Sequence, residues 1–264
     1  MKKNRTLKAI GIALSFVIVL SSFPSTILAK DNSQSIKLQT INKNISNYDN
    51  EIQNNLELLL REKVENGKKA DRLGMLTDNK GTNYSVPVYE IGSEEIYKLD
   101  NETILAQTYG YYIPEELADD ASAEKFSTSL ITTKSTANGS TAVNAYDPAG
   151  SLVRGYCTIY YTINTDSNGA KTYKLNSVKG NYTRGDLAFS VTKQVVKYTM
   201  AGMGPDDIYV QNTATKYPTS SSWQYTTGFQ KFITLDILHT FGATYTLTIK
   251  RTSSSWNFTI YNLL

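Results

Sequence analysis

Few side chains in this sequence could do acid–base or nucleophilic chemistry, and each lacks an obvious partner. His239 is the only histidine and Cys157 the only cysteine, so a histidine metal site or a Ser-His-Asp triad would have to use that one imidazole. Both residues alternate with apolar neighbours, His239 at the end of the segment 234–239 and Cys157 within 152–163. We interpret both as ordinary sheet residues, with Cys157 acting as a small buried hydrophobe.

Sequence motifs of known hydrolases do not indicate a catalytic residue either. Two Ser-x-x-Lys matches occur, Ser122 with Lys125 and Ser190 with Lys193, but neither Lys-Thr-Gly nor Ser-Asp-Asn accompanies them. The sequence contains no Gly-x-Ser-x-Gly, no His-Glu-x-x-His and no phosphate-binding glycine loop. We therefore do not predict a catalytic residue from motifs.

Carboxylates are the remaining source of catalytic or metal-binding chemistry. Two carboxyl groups about 5 to 10 Å apart can hydrolyse glycosides, and the candidates are Asp236, Asp206 and Glu90. The acidic segment 114–126 is interpreted as a solvated helical face, because one helix converges calcium ligands poorly. The Asp-Ser-Asn-Gly run at 166–169 has the residues of a hairpin turn and lacks the later glutamate of a calcium loop. No metal and no cofactor is predicted.

Tyrosine provides the strongest indication of binding. The chain has 19 tyrosines and 2 tryptophans, and exposed aromatic rings bind sugars and protein partners. In the segment 152–163, alternation places Tyr156 and Tyr160 on one face with Thr158 and Thr162. We expect that face to be exposed, and we predict Tyr156 and Tyr160 as contact residues for a ligand or partner.

The region that must position these tyrosines is predicted to be an antiparallel β-sandwich over residues 142–264. β-Branched and aromatic residues alternate with polar ones along 152–163, 243–251 and 256–261, and turn residues separate the segments. Along 243–251, the threonines and Lys250 fall on the face opposite the apolar residues. The fold class is therefore mainly β.

A long helix is predicted before the sandwich, at residues 30–67. Apolar residues recur at three- and four-residue spacing from Leu38 to Ile52, and Gly67 can end the helix. Three interpretations remain open: an oligomerisation or partner-binding helix, a helix packed on its own protein, or the arm of a propeptide.

A small α+β segment is predicted at 68–126, between the helix and the sandwich. Pro87 would confine its first strand to a sheet edge or a strand start, because proline cannot donate to a ladder. A Ser/Thr-rich linker at 127–141 marks the expected domain boundary. The predicted elements of 68–126 are a helical continuation to Lys80, a strand at 84–91, a helical turn at 93–97 with Ser93 as its N-cap, a strand at 103–113 and an acidic helix at 114–126.

Residues 1–29 have the organisation of a secretory signal peptide, with cleavage expected after Ala29. The signal contains four of the 27 basic residues and none of the 24 acidic ones, so the net charge of +3 becomes −1 in the mature chain. That balance gives no electrostatic footprint for nucleic acid or an anionic membrane. The single cysteine excludes an internal disulfide. We predict a secreted protein without a stable membrane anchor.

The signal, the long helix followed by Val86-Pro87-Val88-Tyr89 and the closing segment 254–260 resemble uncharacterised exported proteins of Gram-positive bacteria. The resemblance covers most of the chain. It implies export and a C-terminal β-domain, but it brings no activity, cofactor or site residue.

Three function classes remain after these exclusions. We favour a secreted, non-catalytic binding or interaction protein that contacts a cell-wall polymer or a protein partner through its Tyr/Thr-rich strands. The first alternative is a membrane-active or pore-forming toxin, whose barrel strands would come from the Ser/Thr-rich segment 126–146. The second is a secreted hydrolase built on carboxylates.

Overall fold

The computed structural model describes residues 25–66, 69–113, 153–236 and 238–264. The chain divides into two compact units, Met1–Thr40 and Ile41–Leu264. In chain order the elements are α1 (Ser25–Glu65), β1 (Arg72–Asp78), β2 (Asn83–Leu99), β3 (Glu102–Ile113), β4 (Val153–Thr165), β5 (Lys171–Arg184), β6 (Ser190–Met203), β7 (Tyr209–Lys216), β8 (Ser222–Thr226), β9 (Thr240–Arg251) and β10 (Ser254–Leu263).

Several sequence predictions concern residues outside this description. They are the signal peptide up to residue 24, the acidic helix at 114–126, the linker and domain boundary at 127–141, and the segment 126–146. These remain predictions. The strands on either side of the expected boundary, β3 and β4, pair with each other along their whole lengths.

The mainly β class is confirmed. The described strands form one ten-stranded sheet in the order β7-β6-β9-β10-β1-β2-β3-β4-β5-β8, and its neighbours pair antiparallel. The strands expected in a sandwich thus belong to one continuous sheet. That sheet curls, so that its two halves face each other across a shared core.

Aromatic side chains join the two halves of the sheet. The ring centroids of Tyr161 on β4 and Phe241 on β9 are 5.8 Å apart, in an edge-to-face arrangement. Trp223 on β8 and Tyr245 on β9 meet in the same way at 5.0 Å. Such pairs contribute about 0.5–1.5 kcal/mol beyond the burial of their area. The inner face of the curl is therefore the main hydrophobic core.

The alternation predicted for β4 and β9 is confirmed on their inner faces. Cys157 and Ile159 of β4 belong to the main core, as do Tyr245, Leu247 and Ile249 of β9. The threonines of β9 point to the opposite face and are half-buried, while Lys250 is exposed. A period of two is what a strand with one buried face requires.

The predicted helical pieces within 68–126 are wrong where the structure describes them. The segment up to Lys80 contains β1, and residues 93–97 lie inside β2. β-Bulges follow Glu90 and Glu95, and they let β2 bend while it stays paired with β3. Tertiary pairing thus overrides the local N-cap pattern at Ser93, and residues 72–113 supply three strands to the common sheet.

Pro87 lies inside a central strand, contrary to the sheet edge or strand start that we predicted. It is opposite Leu73 of β1 in the register. Its neighbour Val88 accepts a backbone hydrogen bond from Asp71, next to β1, so the nitrogen of Pro87 points toward β3 instead. Pairing of β2 with β3 begins at Val88. The missing N–H therefore costs no ladder bond.

The second half of α1 packs on the outer face of the sheet, over β2, β3 and β4. Tyr48, Ile52, Leu56 and Leu60 recur every fourth residue and are buried against a second apolar cluster of the sheet. Gly92 allows the close approach, because a Cβ there would lie 2.5 Å from the Tyr48 hydroxyl. No helix among the described residues is long and apolar enough to cross a membrane.

Leu60→Ala tests whether this helix stabilises the fold. Leu60 is fully buried, so we expect the free energy of unfolding to fall by about 2–5 kcal/mol in urea titrations. Leu58→Ala is the matched control, because Leu58 is 54% exposed and should change stability by no more than about 0.5 kcal/mol. Equal effects of the two variants would contradict the packing described here.

Candidate binding face

Tyr156 and Tyr160 are not exposed. Both side chains have 0% of their surface exposed, because α1 covers the face of β4 that carries them. The Tyr160 hydroxyl donates to the Asp49 carboxylate of α1, and its ring meets Tyr48 edge-to-face at 6.3 Å. The predicted exposure of these tyrosines is therefore wrong. Alternation placed them on the correct face, but it does not report what covers that face.

A buried ion pair holds α1 on the sheet at this point. Lys179 of β5 lies 2.7 Å from the second carboxylate oxygen of Asp49, and the two side chains are 13% and 8% exposed. Burying a charge is costly unless it is paired and hydrogen-bonded, and both conditions are met here. Desolvation also raises the pKa of Tyr160, and the nearby Asp49 charge raises it further. Together, Asp49, Lys179 and Tyr160 fix α1 to the sheet.

Hydrogen-bonded hydroxyl groups extend this contact from α1 across β3 to β4. The Tyr48 hydroxyl and Thr108 Oγ1 are 2.8 Å apart, and Thr108 Oγ1 is 2.8 Å from Thr158 Oγ1. Both threonines are fully buried. Burial is also the main reason why the pKa of Tyr48 is raised. These hydroxyl groups of β3 and β4 are therefore paired under α1, and the face is closed to ligands in this conformation.

The single thiol and the single imidazole have structural surroundings. Cys157 is fully buried, and desolvation raises its pKa to about 12. The Nδ1 atom of His239 lies against the backbone oxygen of Asp236, and its Nε2 is 3.3 Å from the Leu264 oxygen. The contacts described for either residue do not include the other. The arrangement thus supplies no activated thiolate, and both ring nitrogens of His239 are engaged by backbone oxygens.

The candidate carboxylates are divided between two places. Asp236 lines an open cleft of about 480 Å³ together with Asp207, Asp166 and Phe232. Asp166 and Asp236 each use a carboxylate oxygen to accept backbone N–H groups of their own turn, and Asp206 does the same. Turn formation therefore accounts for these side chains. In the described part of the chain no three His, Cys, Asp or Glu side chains are grouped to hold a metal ion.

Glu90 lies on β2, away from that cleft. Its carboxylate accepts hydrogen bonds from the Tyr109 hydroxyl and the Gln107 amide, both at 3.3 Å. Arg72 stacks over the Tyr109 ring, 4.6 Å from the centroid. The lining of the cleft does not include Glu90, so the three carboxylates considered for a hydrolase are not all gathered at one site.

The open part of the outer sheet surface has a different character, and we call it the threonine face. It is formed by β6, β7, β9 and β10, on the side away from the core. Its members are Lys193, Val195, Lys197 and Thr199 of β6, Gln211, Thr213 and Thr215 of β7, Thr244, Thr246, Thr248 and Lys250 of β9, and Ser255, Asn257, Thr259 and Tyr261 of β10.

The strand register aligns these side chains in rows that run across the sheet. Two of the rows continue onto β1. Adjacent rows are about 7 Å apart along the strands, and neighbouring strands are about 4.8 Å apart. The first row is Thr215, Lys197, Thr244 and Tyr261; the second is Val195, Thr246, Thr259 and Met75; the third is Lys193, Thr248, Asn257 and Thr77.

Hydrogen bonds between neighbouring strands hold these polar groups in place. The Oγ1 atoms of Thr246 and Thr259 are 2.9 Å apart, and Thr248 Oγ1 donates to Asn257 Oδ1 at 2.8 Å. β-Branched side chains have few rotamers, so little entropy is lost when they bind. The face is a preorganised array of hydroxyl and amide groups.

The charge of the threonine face has one sign. β6, β7, β9 and β10 contain no aspartate or glutamate, and the aspartates of residues 190–264 all lie outside these strands. Lys193, Lys197 and Lys250 are exposed on the face. A chain that is close to neutral as a whole thus has a locally basic surface.

The sequence indicates only part of this face. Alternation placed the threonines of β9 and Lys250 outside, but it gave no reason to join them to Lys193 and Lys197 of β6. The available signal was the absence of acidic residues from every strand after residue 190. Comparisons with protein-family models, curated proteins and solved structures found no match to this chain. The functional proposal therefore rests on the geometry of the threonine face.

Lys179→Met tests the buried ion pair. It leaves the Asp49 carboxylate buried without its cation, so we expect a loss of about 3–5 kcal/mol in the free energy of unfolding. Lys98→Met is the control, since Lys98 and Glu95 form an exposed pair at 3.9 Å and should contribute at most about 1 kcal/mol. Adding Asp49→Leu to Lys179→Met should recover part of the loss. A double variant less stable than the single one would contradict the pairing.

The Cys157 thiol should react only when the protein unfolds. Because its pKa is about 12 and it is fully buried, alkylation by iodoacetamide at pH 8 should be slow in buffer and rapid in concentrated urea. Mass spectrometry over time measures both rates. Rapid labelling of the folded protein would show that this part of the core opens.

Proposed function

We propose that this protein is an exported, non-catalytic binding protein that contacts an extended extracellular polymer, such as cell-wall material, through the threonine face. Export rests on the predicted signal peptide at 1–29. The observation that carries the proposal is the set of aligned, mostly polar rows on four neighbouring strands, where Lys193, Lys197 and Lys250 are exposed.

The chemistry of the face suits a hydroxyl-rich polymer. Each threonine hydroxyl can donate one hydrogen bond and accept two, so a pair such as Thr246 and Thr259 keeps acceptor positions after bonding internally. The regular rows offer the same groups repeatedly along and across the strands. A linear polymer could therefore form hydrogen bonds with several rows at once.

Tyr261 adds an aromatic contact to the end of the first row. Its side chain is 37% exposed, whereas Tyr156 and Tyr160 are fully buried. Exposed tyrosine rings stack on sugar rings and keep a polar tip in water. Tyr261 thus takes the role that we predicted for Tyr156 and Tyr160.

A membrane-active role is the second candidate. Leu73 and Met75 of β1 are 57% and 45% exposed, and Met75 is in the same row as Thr259. Exposed apolar side chains are suited to the surface of a bilayer. Dye release from vesicles is the measurement for this role, and leakage at concentrations that give no wall binding would favour it.

Co-sedimentation of residues 30–264 with insoluble cell wall tests the proposal. The key variant combines Thr246→Val with Thr259→Val, which removes a mutually bonded pair without leaving either hydroxyl unpaired in the fold. We expect the apparent affinity to fall about 10- to 30-fold, at about 1 kcal/mol for each lost hydrogen bond. Tyr261→Ala should also weaken retention.

The matched control replaces two exposed threonines of other strands, Thr183→Val on β5 with Thr226→Val on β8. This control should bind the wall like the unaltered protein. Unchanged retention of the Thr246/Thr259 variant, or no retention of the unaltered protein on any wall, would reject the threonine face as a wall-binding surface.

A further inference from the structure

Resting on the proposed function, we infer that the ligand of the threonine face is a polyanion: a linear wall polymer with repeating phosphodiester groups. Lys193, Lys197 and Lys250 bind its charges, and hydroxyl groups that keep a free proton donate to its phosphate oxygens, as one of Thr246 and Thr259 can after bonding to the other. This assigns a ligand class and specific contact residues to the face.

The spacing of the three lysines favours a ligand with several charges. Lys193 and Lys197 are four residues apart on β6, which separates their backbones by roughly 13 Å. Lys193 is opposite Thr248 in the register, so Lys250 begins about 8 Å away on the neighbouring strand. A single phosphate cannot reach all three ammonium groups at once. A chain with repeated charges can.

The chemistry of the cations also fits phosphate. An ammonium group acts as a compact point charge and does not need the planar, bidentate geometry that guanidinium and carboxylate groups share. No arginine is among the outward-facing members of the face. Hydroxyl groups next to the lysines donate to phosphate oxygens and fix the position of the chain, as they do on nucleic-acid backbones.

The lysines of the threonine face have no acidic residue beside them on β6, β7, β9 or β10. The other half of the outer surface is covered by α1, where exposed charges of both signs occur: Glu51 and Glu62 are exposed, and so is Lys43. A polyanion is therefore attracted most strongly to the lysines of β6 and β9. At about 0.1 M salt the screening length is roughly 10 Å, close to the lysine spacing, so the three charges act together at low salt.

The test compares walls before and after extraction of their phosphodiester-linked polymers with cold hydrofluoric acid. Residues 30–264 are sedimented with each preparation across 50–500 mM salt. We expect retention on intact walls to fall about 100-fold over this range, as for three phosphate contacts on a flexible polyanion. At 50 mM salt, we expect extraction of the wall to lower retention at least tenfold. The salt titration uses the unaltered protein and does not depend on any variant folding.

A triple variant, Lys193→Gln, Lys197→Gln and Lys250→Gln, tests the assigned residues. It should lose at least tenfold in retention on intact walls at 50 mM salt, and its remaining binding should depend little on salt. The control makes the same change of net charge at three other exposed lysines, Lys98→Gln, Lys171→Gln and Lys231→Gln, and should bind normally. Equal thermal midpoints show that both variants are folded.

The outcomes separate this inference from the proposed function. Equal retention on intact and extracted walls, with no effect of the triple variant, overturns the polyanion assignment and leaves wall binding by the threonine face standing. Retention on neither wall overturns both. Tighter binding to phosphatidylglycerol vesicles than to intact walls overturns the assignment in favour of a lipid surface.

Discussion

The buried pair of Asp49 and Lys179 determines which surfaces this protein offers. Neither charge can be buried alone, so α1 has to place Asp49 beside Lys179 of β5. Tyr160 of β4 also donates to Asp49 at this position. That contact sets the axial position of α1, and the apolar stripe from Tyr48 to Leu60 then covers β2, β3 and β4. The outer face of β6, β7, β9 and β10 lies outside the area that this stripe covers.

The sheet also has to bury its apolar face. Ten strands in one antiparallel sheet have two faces, and a chain of this composition has enough apolar residues to bury one face completely. Curling brings the two halves of that face together, and aromatic contacts such as those of Tyr161 with Phe241 close the core. The outer face needs α1 where its own residues are aromatic or aliphatic; elsewhere it is mostly polar, although Leu73 and Met75 of β1 are exposed.

The functional proposal follows from this division of the outer face. Residues that looked suited to catalysis are used in turns or buried, as with Asp236 in its turn and Cys157 in the core. The groups that remain accessible in ordered rows are hydroxyls, amides and ammonium groups. Such a surface offers contacts over a long path and no enclosed reaction centre, which suits polymer binding better than catalysis.

The sequence by itself determined the mainly β class, the long helix and the inner and outer faces of β4 and β9, because a period of two or of 3.6 residues is a local property of the chain. It also placed Thr244, Thr246 and Thr248 outside. It misjudged Ser93, whose local cap pattern lost to strand pairing, and the exposure of Tyr156 and Tyr160. Only the tertiary structure decided that α1 covers those tyrosines and that Lys193 and Lys197 lie beside the threonines of β9. Pairing and covering join residues distant in the chain, and alternation along one strand carries no information about them.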